Sequence, residues 1–352
     1  MNTVTYGTAA APFLAVRCLK QIALDIESRH PELSEIICRD FYMDDLITSV
    51  DTLEQASQVK EQLSSILKLY QFNLRKWLSN DSIVLNHCKP DIKFYIQEEQ
   101  ATKALGIIWY SEQDMLQYCV NPRKDYKNIT KRSILSAIPQ IFDPLGLIGP
   151  TIVKAKILLQ RLWQLKVAWD ESLPMDIHTS WLDISQHFEE LNAIQIPRLL
   201  ADLAISRSTK LHCFSDASEQ AFGCCIYLRS VEPNHVRVEL ICARSRVAPL
   251  KQISVPGLEL CGALLASQLT FQVVSALRQS FDSITLWTDS TIVLSWIRTE
   301  PNRWKTFVAN RVSEIQDLTS FYQWKHVPGE VNPVDIISIG LNPDQLTKSL
   351  LW

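Results

Sequence analysis

The chain has 352 residues, and its 47% hydrophobic content is enough for ordinary buried cores in two or three domains. A formal net charge of only −3 excludes a protein that attracts nucleic acid over its whole surface. The nine cysteines form no Cys-x-x-Cys pair, which argues against a zinc ribbon and favours a reducing, intracellular compartment. Prolines interrupt the longest nearly uncharged stretch, so no membrane span is expected.

The first half of the chain predicts a hairpin, a helix and further strands. "EIICRDFYMDDLITSV" has β-prone runs on both sides of Asp44 and Asp45, which predicts a hairpin with the two carboxylates at its tip. Apolar residues then recur at helical spacing in "DTLEQASQVKEQLSSILKLY", with Asp51 or Thr52 as the cap. "FNLRKWLSND" and "ALGIIWYS" predict strands.

The middle of the chain is basic and predicted to be mostly helical. Two helices hinged at "FDPLGLIGP" are expected, followed by helical structure from Pro174 to about Leu203. From residue 121 to residue 170, nine Lys or Arg stand against three acids, which predicts either a nucleic-acid-binding surface or an ordinary solvated helical face. The candidate binding residues are Lys124, Lys127, Lys131, Arg132, Lys154, Lys156 and Arg161.

The pattern changes after Lys210. "LHCFSDAS", "AFGCCIYLRS" and "VRVELICARSR" predict three successive strands, and helices alternate with strands after them. This order is typical of a mixed sheet with helices on its faces, so the overall class is α/β. The predicted division is 1–110, 111–204 and 205–345.

Four acids lie at predicted strand and helix ends in the last part. Asp216, Glu259, Asp289 and Asp335 are far apart in sequence but can converge at one edge of such a sheet. Clustered carboxylates repel one another unless cations neutralise them, and hard oxygen ligands suit Mg²⁺ or Mn²⁺. Two such ions can stabilise both the attacking and the leaving oxygens of a phosphodiester displacement. Each acid by itself is more simply a helix cap or a solvated turn.

A family resemblance rests on long, ordered motifs. "CFSDASEQAFGCCIY", "SVPGLELCGALLA", "LWTDSTIVLSWI" and "WKHVPGEVNPVDIISIG" resemble the ribonuclease H domain of BEL/Pao-type retrotransposon polyproteins. "TYGTAAAPFLAVRCL", "FYMDDLITSVDTLEQA", "FNLRKWLSND", "KALGIIWYSEQDML" and the segment from "KRSIL" to "DESLP" resemble the reverse transcriptase palm, thumb and connecting region of the same elements. The resemblance implies an α+β palm remnant and a helical thumb or connection before a ribonuclease H-like sheet.

For the last part, the resemblance implies that Asp216, Glu259, Asp289 and Asp335 hold two Mg²⁺ or Mn²⁺ ions and cut the RNA strand of an RNA–DNA hybrid. Selectivity would then depend on 2′-hydroxyl groups and duplex shape. Two departures from the family pattern are visible. Ile339 stands where an Arg usually precedes the Gly, and near Glu330 there is no His, since the nearest one is His326 in a predicted strand. Proton transfer to the leaving group is then expected to rely on water.

For the first part, the resemblance implies that Asp44 and Asp45 are metal-binding carboxylates of a polymerase palm. It also makes Lys76 the lysine that protonates pyrophosphate and makes Leu105 and Gly106 part of a primer grip. The alternative for "YMDD" is an acidic surface turn. A further Asp before "YGTAAAPFL" is needed for polymerisation, so we expect these residues alone not to synthesise DNA.

The resemblance also implies partners and a location. The partners are an RNA–DNA hybrid, template–primer nucleic acid and the remainder of a polyprotein, and the location is the cytoplasm or a virus-like particle, with the nucleus as an alternative. Two other functions stay open. One is a non-catalytic, nucleic-acid-binding transposon remnant. The other is an aspartic peptidase, which "TDST" disfavours because its loop lacks the Gly of D-[ST]-G.

Overall fold

The protein is described by a computed structural model that covers residues 8–43, 45–85, 101–104, 107–121, 129–202, 205–350 and 352. These residues form two compact units, one from 1–104 with 109–115 and the other from 105–108 with 116–352. Helices and strands are mixed throughout, which confirms the α/β class. The three-part division at residues 110 and 204 stays a prediction.

The first unit contains a helical cluster and a short hairpin. Its elements are α1 (Ala11–Ile26), α2 (Pro31–Asp40), β1 (Phe41–Tyr42), β2 (Asp45–Leu46) and α3 (Leu53–Leu69), and β3 (Ala101–Ala104) and β4 (Ile107–Tyr110) follow. The hairpin is confirmed, with Phe41 opposite Leu46. Thr52 caps α3 by accepting a hydrogen bond from the Gln55 amide, as the sequence allowed.

Two strand predictions in this unit are wrong. "EIICRD" lies in α2, because Pro31 starts a helix and Leu33, Ile36 and Ile37 are buried on one helical face. In "FNLRKWLSND" the structure has no strand over residues 72–81. "ALGIIWYS" does contain a strand, β4.

The second unit contains the larger sheet. Its elements are β5 (Met115–Tyr118), α4 (Lys131–Ala137), α5 (Gly149–Gln164), α6 (Met175–Ser185), β6 (Gln195–Pro197), β7 (Ser208–Ala217), β8 (Ala221–Val231), β9 (Val236–Val247), α7 (Val255–Leu277), β10 (Ser283–Thr288), α8 (Thr291–Ile297), α9 (Thr306–Thr319), β11 (Gln323–His326), α10 (Asp335–Ile339) and α11 (Pro343–Leu346). The prediction of helix as far as Leu203 is wrong in part, since β6 lies within that range.

The sheet order is β11-β10-β7-β8-β9. β7, β8 and β9 pair antiparallel, whereas β10 runs parallel to both β7 and β11. The predicted mixed sheet is therefore confirmed. Because β7 and β10 are parallel neighbours, their carboxyl ends lie at the same edge.

Helices cover both faces of this sheet. Side chains alternate along β8, so Cys224 belongs to the core under α7, whereas Cys225 belongs to the core that contains Ile337 of α10. By length and composition, α7 is the one described helix apolar enough to cross a membrane. Its buried residues pack on β7 and β8, which accounts for that apolar character.

The "FDPLGLIGP" segment separates α4 from α5, as predicted, and Asp143 organises it. The Asp143 carboxylate accepts hydrogen bonds from the Tyr118 hydroxyl at 2.7 Å, the Leu147 amide at 3.0 Å and the Ile148 amide at 3.1 Å. These amides immediately precede α5 and have no helical partners. The carboxylate satisfies them, and its negative charge interacts favourably with the dipole of the helix at its amino end.

The same segment packs on the edge strand of the sheet. The Ala243 amide of β9 donates to the Leu145 carbonyl at 2.8 Å. Gly146 follows with a φ of +77°, and a Cβ there would lie 1.9 Å from the Ala243 carbonyl oxygen. Only glycine fits this left-handed, close contact, which covers an otherwise open part of the edge.

We expect Asp143→Ala to lower the free energy of unfolding by about 3 kcal/mol, because it removes three hydrogen bonds and leaves the buried Tyr118 hydroxyl without this acceptor. Urea titration followed by circular dichroism measures the loss. Tyr118→Phe removes one of these bonds and should cost about 1 kcal/mol. Equal stability of Asp143→Ala and the wild type would contradict this role.

Candidate active site

Two of the four predicted acids meet at the carboxyl edge of β7 and β10. Ser215 is opposite Thr288 in the parallel register, so Asp216 and Asp289 each follow one member of this pair. Asp216 is buried at the end of β7, and Asp289 begins the turn into α8. The adjacency comes directly from strand pairing and needs no loop.

Glu259 and Asp335 come from helices on opposite faces of the sheet. Glu259 lies in the first turns of α7, and a Cβ at Gly262, one turn later, would lie 3.0 Å from the Asp216 carbonyl oxygen. Asp335 is the first residue of α10, and a Cβ at Gly223 would lie 2.4 Å from a methyl group of Ile337. Gly223 is paired with Asp216. Two glycines therefore allow both helices to approach the backbone at Asp216.

Side-chain hydrogen bonds fix the segment that carries Asp335. Asn332 is fully buried, and its Nδ2 donates to the Ser215 carbonyl at 3.1 Å, next to Asp216. The Ser218 hydroxyl donates to the Ser338 carbonyl at 2.6 Å, which connects α10 to the turn after β7. The loop and helix on either side of Asp335 are thus attached to the end of β7.

The electrostatics show that the four carboxylates act on one another. Burial, then the negative charge of Asp216, raises the pKa of Asp289 to about 6, with smaller contributions from Glu259 and Asp335. Burial also raises the pKa of Glu259, which a hydrogen bond from Ser290 opposes and Asp216 reinforces. Burial and Asp216 raise the pKa of Asp335. The sequence-predicted acids are therefore brought together.

The donor set fits divalent cations. All four side chains offer hard oxygen ligands, and Asp289 Oδ1 is buried with no hydrogen-bond partner. Within the described ranges, no three His, Cys, Asp or Glu side chains are arranged to hold a metal ion. The four carboxylates share one region of the sheet edge and one electrostatic field, in which like charges repel. Their role as metal ligands stays a prediction.

Sequence reasoning missed Gly223, Gly262 and Asn332. The two glycines carried a usable signal, since a glycine inside a strand or helix costs stability and often marks a close backbone approach. Asn332 had no recognisable signal in the sequence, because its contact is with Ser215, 117 positions earlier in the chain. Two residues mark the departures from the family pattern noted in the sequence. Ile339 is exposed, and His326 ends β11 with its Nε2 3.1 Å from the Asp289 carbonyl oxygen.

The predicted basic surface is only partly present. Lys131 is buried, with its ammonium 3.5 Å from the centre of the Trp163 ring, so its prediction as a phosphate contact is wrong. Arg132 pairs with Asp170, and Arg161 pairs with Asp176 at 2.6 Å. Lys154 is half-buried against Gly340, Lys156 is exposed, and Lys124 and Lys127 lie outside the described residues.

The predicted polymerase residues are described in part. Asp45 is exposed in β2, and Lys76 lies outside any strand with a φ of +57°. Asp44, Leu105 and Gly106 lie outside the described residues. The palm assignment therefore stays a prediction.

Residues 130–290 match the family model described as "Pao retrotransposon-like RNaseH-like domain". This part of the chain is an RNase H-like domain, which agrees with the sheet order and the flanking helices. The match to a Pao retrotransposon family model confirms the predicted resemblance for these residues. Asp216, Glu259 and Asp289 lie inside the match; Asp335 lies beyond it, and its placement comes from the packing of α10 on β8.

Solved structures of RNase H and reverse transcriptase are distantly similar. RNase H1 from Halobacterium salinarum NRC-1 is 15% identical, with a TM-score of 0.24, and covers 35% of this chain and 89% of its own. The foamy viral protease-reverse transcriptase bound to an RNA/DNA hybrid is 12% identical, with a TM-score of 0.48 over 92% of this chain. A second foamy viral structure, bound to double-stranded DNA, is 13% identical, with a TM-score of 0.47 over 91% of this chain.

This chain spans 39% and 49% of the length of the two foamy viral proteins. The fold assignment rests on the sheet order and the family match, since all three TM-scores are below 0.5. A comparison with curated proteins finds no match to this chain.

The raised pKa of Asp289 predicts a pH-dependent stability. The folded state binds the proton of the Asp289 carboxyl group more tightly than the unfolded chain does. The stabilisation that this bound proton gives the folded state is present below the ordinary pKa of 3.8 and is lost as pH rises through about 6. In metal-free buffer we expect Asp289→Asn to raise the melting temperature by about 2 °C at neutral pH, with a smaller gain near pH 4.

Calorimetry at the two pH values measures this difference. Asp317→Asn is the matched control, because Asp317 is exposed on α9. A melting temperature of Asp289→Asn below that of the wild type at neutral pH would show that the carboxylate is not strained by its neighbours.

The close approach of α10 to β8 gives a second prediction. Gly223→Ala should lower the free energy of unfolding by about 2 kcal/mol, because the new Cβ meets Ile337. Ile337→Ala should also destabilise the protein, but the double variant should lose less than the sum of the single losses, since it removes the clash with Ile337 and leaves only the contact of the new Cβ with the Arg244 carbonyl oxygen, 2.9 Å away. Additive losses in urea titrations would rule out this contact as the cause.

Proposed function

We propose that this chain is a two-metal endonuclease that cuts the RNA strand of RNA–DNA hybrids. The observation that carries the proposal is the shared electrostatic field of Asp216, Glu259, Asp289 and Asp335 at one edge of an RNase H-like sheet. A structural role would not require four mutually repelling carboxylates in a half-buried place, and clusters of perturbed pKa values are typical of functional sites.

In this proposal the four carboxylates hold Mg²⁺ or Mn²⁺. When bound, the cations neutralise the carboxylates and stabilise the charge that develops on the attacking and leaving oxygens. Other groups position the ligands. The Ser290 hydroxyl accepts from the Val293 amide to cap α8 and also hydrogen-bonds Glu259, so it fixes Glu259 relative to β10. Asn332 holds the Asp335 segment against β7.

The choice of an RNA–DNA hybrid is supported by the match of residues 130–290 to an RNase H-like family model. Duplexes that contain RNA are recognised mostly by shape and by sugar hydroxyl and phosphate contacts. Of the predicted basic residues that the structure describes, Arg132 and Lys156 are exposed, and Arg132 is paired with Asp170, so phosphate attraction from that segment is weaker than its charge count suggested. We therefore place the substrate at the carboxylate edge rather than on α4.

A second candidate function is nucleic-acid binding without catalysis. The nine Lys or Arg against three acids in residues 121–170 support it, because cationic side chains bind the phosphate backbone without regard to sequence. The polymerase ancestry of the first unit, the polyprotein context and an intracellular location are further parts of the proposal, supported by the sequence motifs alone. The proposed roles of Asp45 as a metal ligand and of Lys76 as a proton donor to pyrophosphate likewise rest on the sequence motifs.

Cleavage of a labelled RNA–DNA hybrid separates the two functions. With Mg²⁺ or Mn²⁺ the wild type should cut the RNA strand, and chelation should abolish the cut. Asp289→Asn should lower the rate by at least about a hundredfold, since even the loss of a group that orients a metal ligand costs about 10- to 100-fold. Asp317→Asn is the control. Binding of the hybrid with no metal-dependent product would establish the non-catalytic function instead.

A further inference from the structure

The side of the large sheet opposite α7 is covered by helices over the half nearest the end of β7. Ile337 of α10 packs against Cys225 of β8, and Ile157 of α5 packs against Ala221 at the start of the same strand. Both contacts lie close to Gly223, which is the partner of Asp216 in the strand register. The remaining half of this side carries a different set of side chains.

Aromatic residues occupy that half. His212 of β7 is opposite Tyr227 of β8, and Phe214 of β7 is beside Trp287 of β10. All four are half-buried, so part of each side chain is accessible to solvent. The Trp287 ring is 13° from parallel to the Phe214 ring and 29° from parallel to the His212 ring, with centroids 6.0 Å apart in both pairs. We call these four residues the aromatic face.

A hydrogen bond fixes the orientation of Trp287 in the aromatic face. Its Nε1 donates to His212 Nδ1 at 3.2 Å, which requires an unprotonated acceptor nitrogen. Burial, and then three nearby cations, lower the pKa of His212, so its imidazole stays neutral and accepts this bond. The three cations are Arg229, Lys210 and Lys325. Because the indole donor is satisfied inside the protein, the accessible part of Trp287 offers ring surface to a ligand.

The same three cations surround the aromatic face. Lys210 and Arg229 are opposite each other, one pair further along β7 and β8 on the same side of the sheet. Lys325 of β11 is beside Trp287, with its Nζ 5.8 Å from the centre of the ring. Arg229 and Lys325 form no ion pair with any carboxylate that the structure describes, whereas Lys210 interacts with Asp282. The aromatic face therefore has positive charge available for an anionic ligand.

This combination of rings and cations discriminates among possible ligands. An apolar helix would bury cations without partners, which is costly, and a second copy of the same surface would bring like charges together. Single-stranded nucleic acid supplies phosphates for the cations and unstacked bases for the rings, which is how sequence-tolerant single-strand sites are built. The bases of a duplex are stacked on one another, so a duplex offers this surface only its phosphates.

We propose that the aromatic face binds single-stranded nucleic acid, with a base stacked on Trp287 and phosphates contacted by Arg229 and Lys325. The four carboxylates take no part in this site. The inference therefore goes beyond the proposed cleavage and does not rest on it.

Anisotropy measurements test the stacking. The full chain is titrated, in buffer without metal, into labelled oligothymidylate and oligouridylate of about twelve nucleotides, a usual length for such sites. Trp287→Ala should weaken binding of the single strand about tenfold, as expected for the loss of one base–aromatic stack, and Trp287→Phe should stay within about threefold of the wild type. Phe271→Ala is the matched control, because Phe271 is 50% exposed on α7, on the other side of the sheet. Comparison of the two oligonucleotides shows whether RNA or DNA is preferred.

Salt dependence tests the phosphate contacts. Lys325→Gln leaves the packing intact because Lys325 is exposed, and it should reduce the slope of log K against log salt concentration by about 0.7, the value for one phosphate of a single strand. Lys156→Gln is the matched control, an exposed lysine of the basic helical segment. An equal change of slope in both variants would assign binding to charge in general and overturn the inference.

Three further results would overturn it: wild-type affinity of a Trp287→Ala variant that melts at the wild-type temperature, equal weakening of single-strand and duplex binding by that variant, or displacement of the oligonucleotide by an equal concentration of a glutamate-rich peptide. The last result would assign the aromatic face to an acidic protein. Hybrid cleavage by the same preparations is scored separately. Absence of cleavage with single-strand binding intact contradicts the nuclease proposal alone, and cleavage without such binding contradicts this inference alone.

Discussion

The close approach of two helices to the backbone of Asp216 is the constraint on which the candidate site depends. α7 and α10 lie on opposite faces of the sheet, and each comes near because a glycine, Gly262 or Gly223, presents no side chain at the contact. Main-chain packing thereby sets the position of Glu259 and Asp335, and flexible side chains need only make small adjustments. A dense interior transmits such constraints over short distances, so the acids are placed by the core itself.

This arrangement has a cost in stability. Carboxylates that repel one another, and an Asp289 oxygen that is buried without a partner, work against folding in the absence of cations. The surroundings offset this cost with satisfied polar groups: Asn332 is fully buried and bonded to β7, and Asp143 satisfies the start of α5. Strain concentrated at one place with compensation around it is typical of functional sites.

The sheet half of the chain could be predicted from sequence because its strands alternate, its helices are long, and its acids follow strand ends. Predictions from local sequence patterns are wrong where contacts with residues distant in the chain determine the structure. "EIICRD" is β-prone, yet Pro31 and the burial of Leu33, Ile36 and Ile37 make it a helix. Charge counting placed Lys131 on the surface, whereas its methylene stem and ammonium are buried against tryptophan rings. The convergence of the acids was predictable; the glycines and Asn332 that enforce it depend on pairs far apart in the chain.

The burial of Lys131 has a consequence for chemical labelling. Its ammonium lies over the Trp163 ring and donates to the Val167 carbonyl at 3.2 Å, so an acylating reagent cannot reach the nitrogen unless α4 separates from the end of α5. Lys156, on the same helix as Trp163, is open to solvent. The ratio of modification of Lys131 to modification of Lys156 thus measures how often α4 separates from the end of α5.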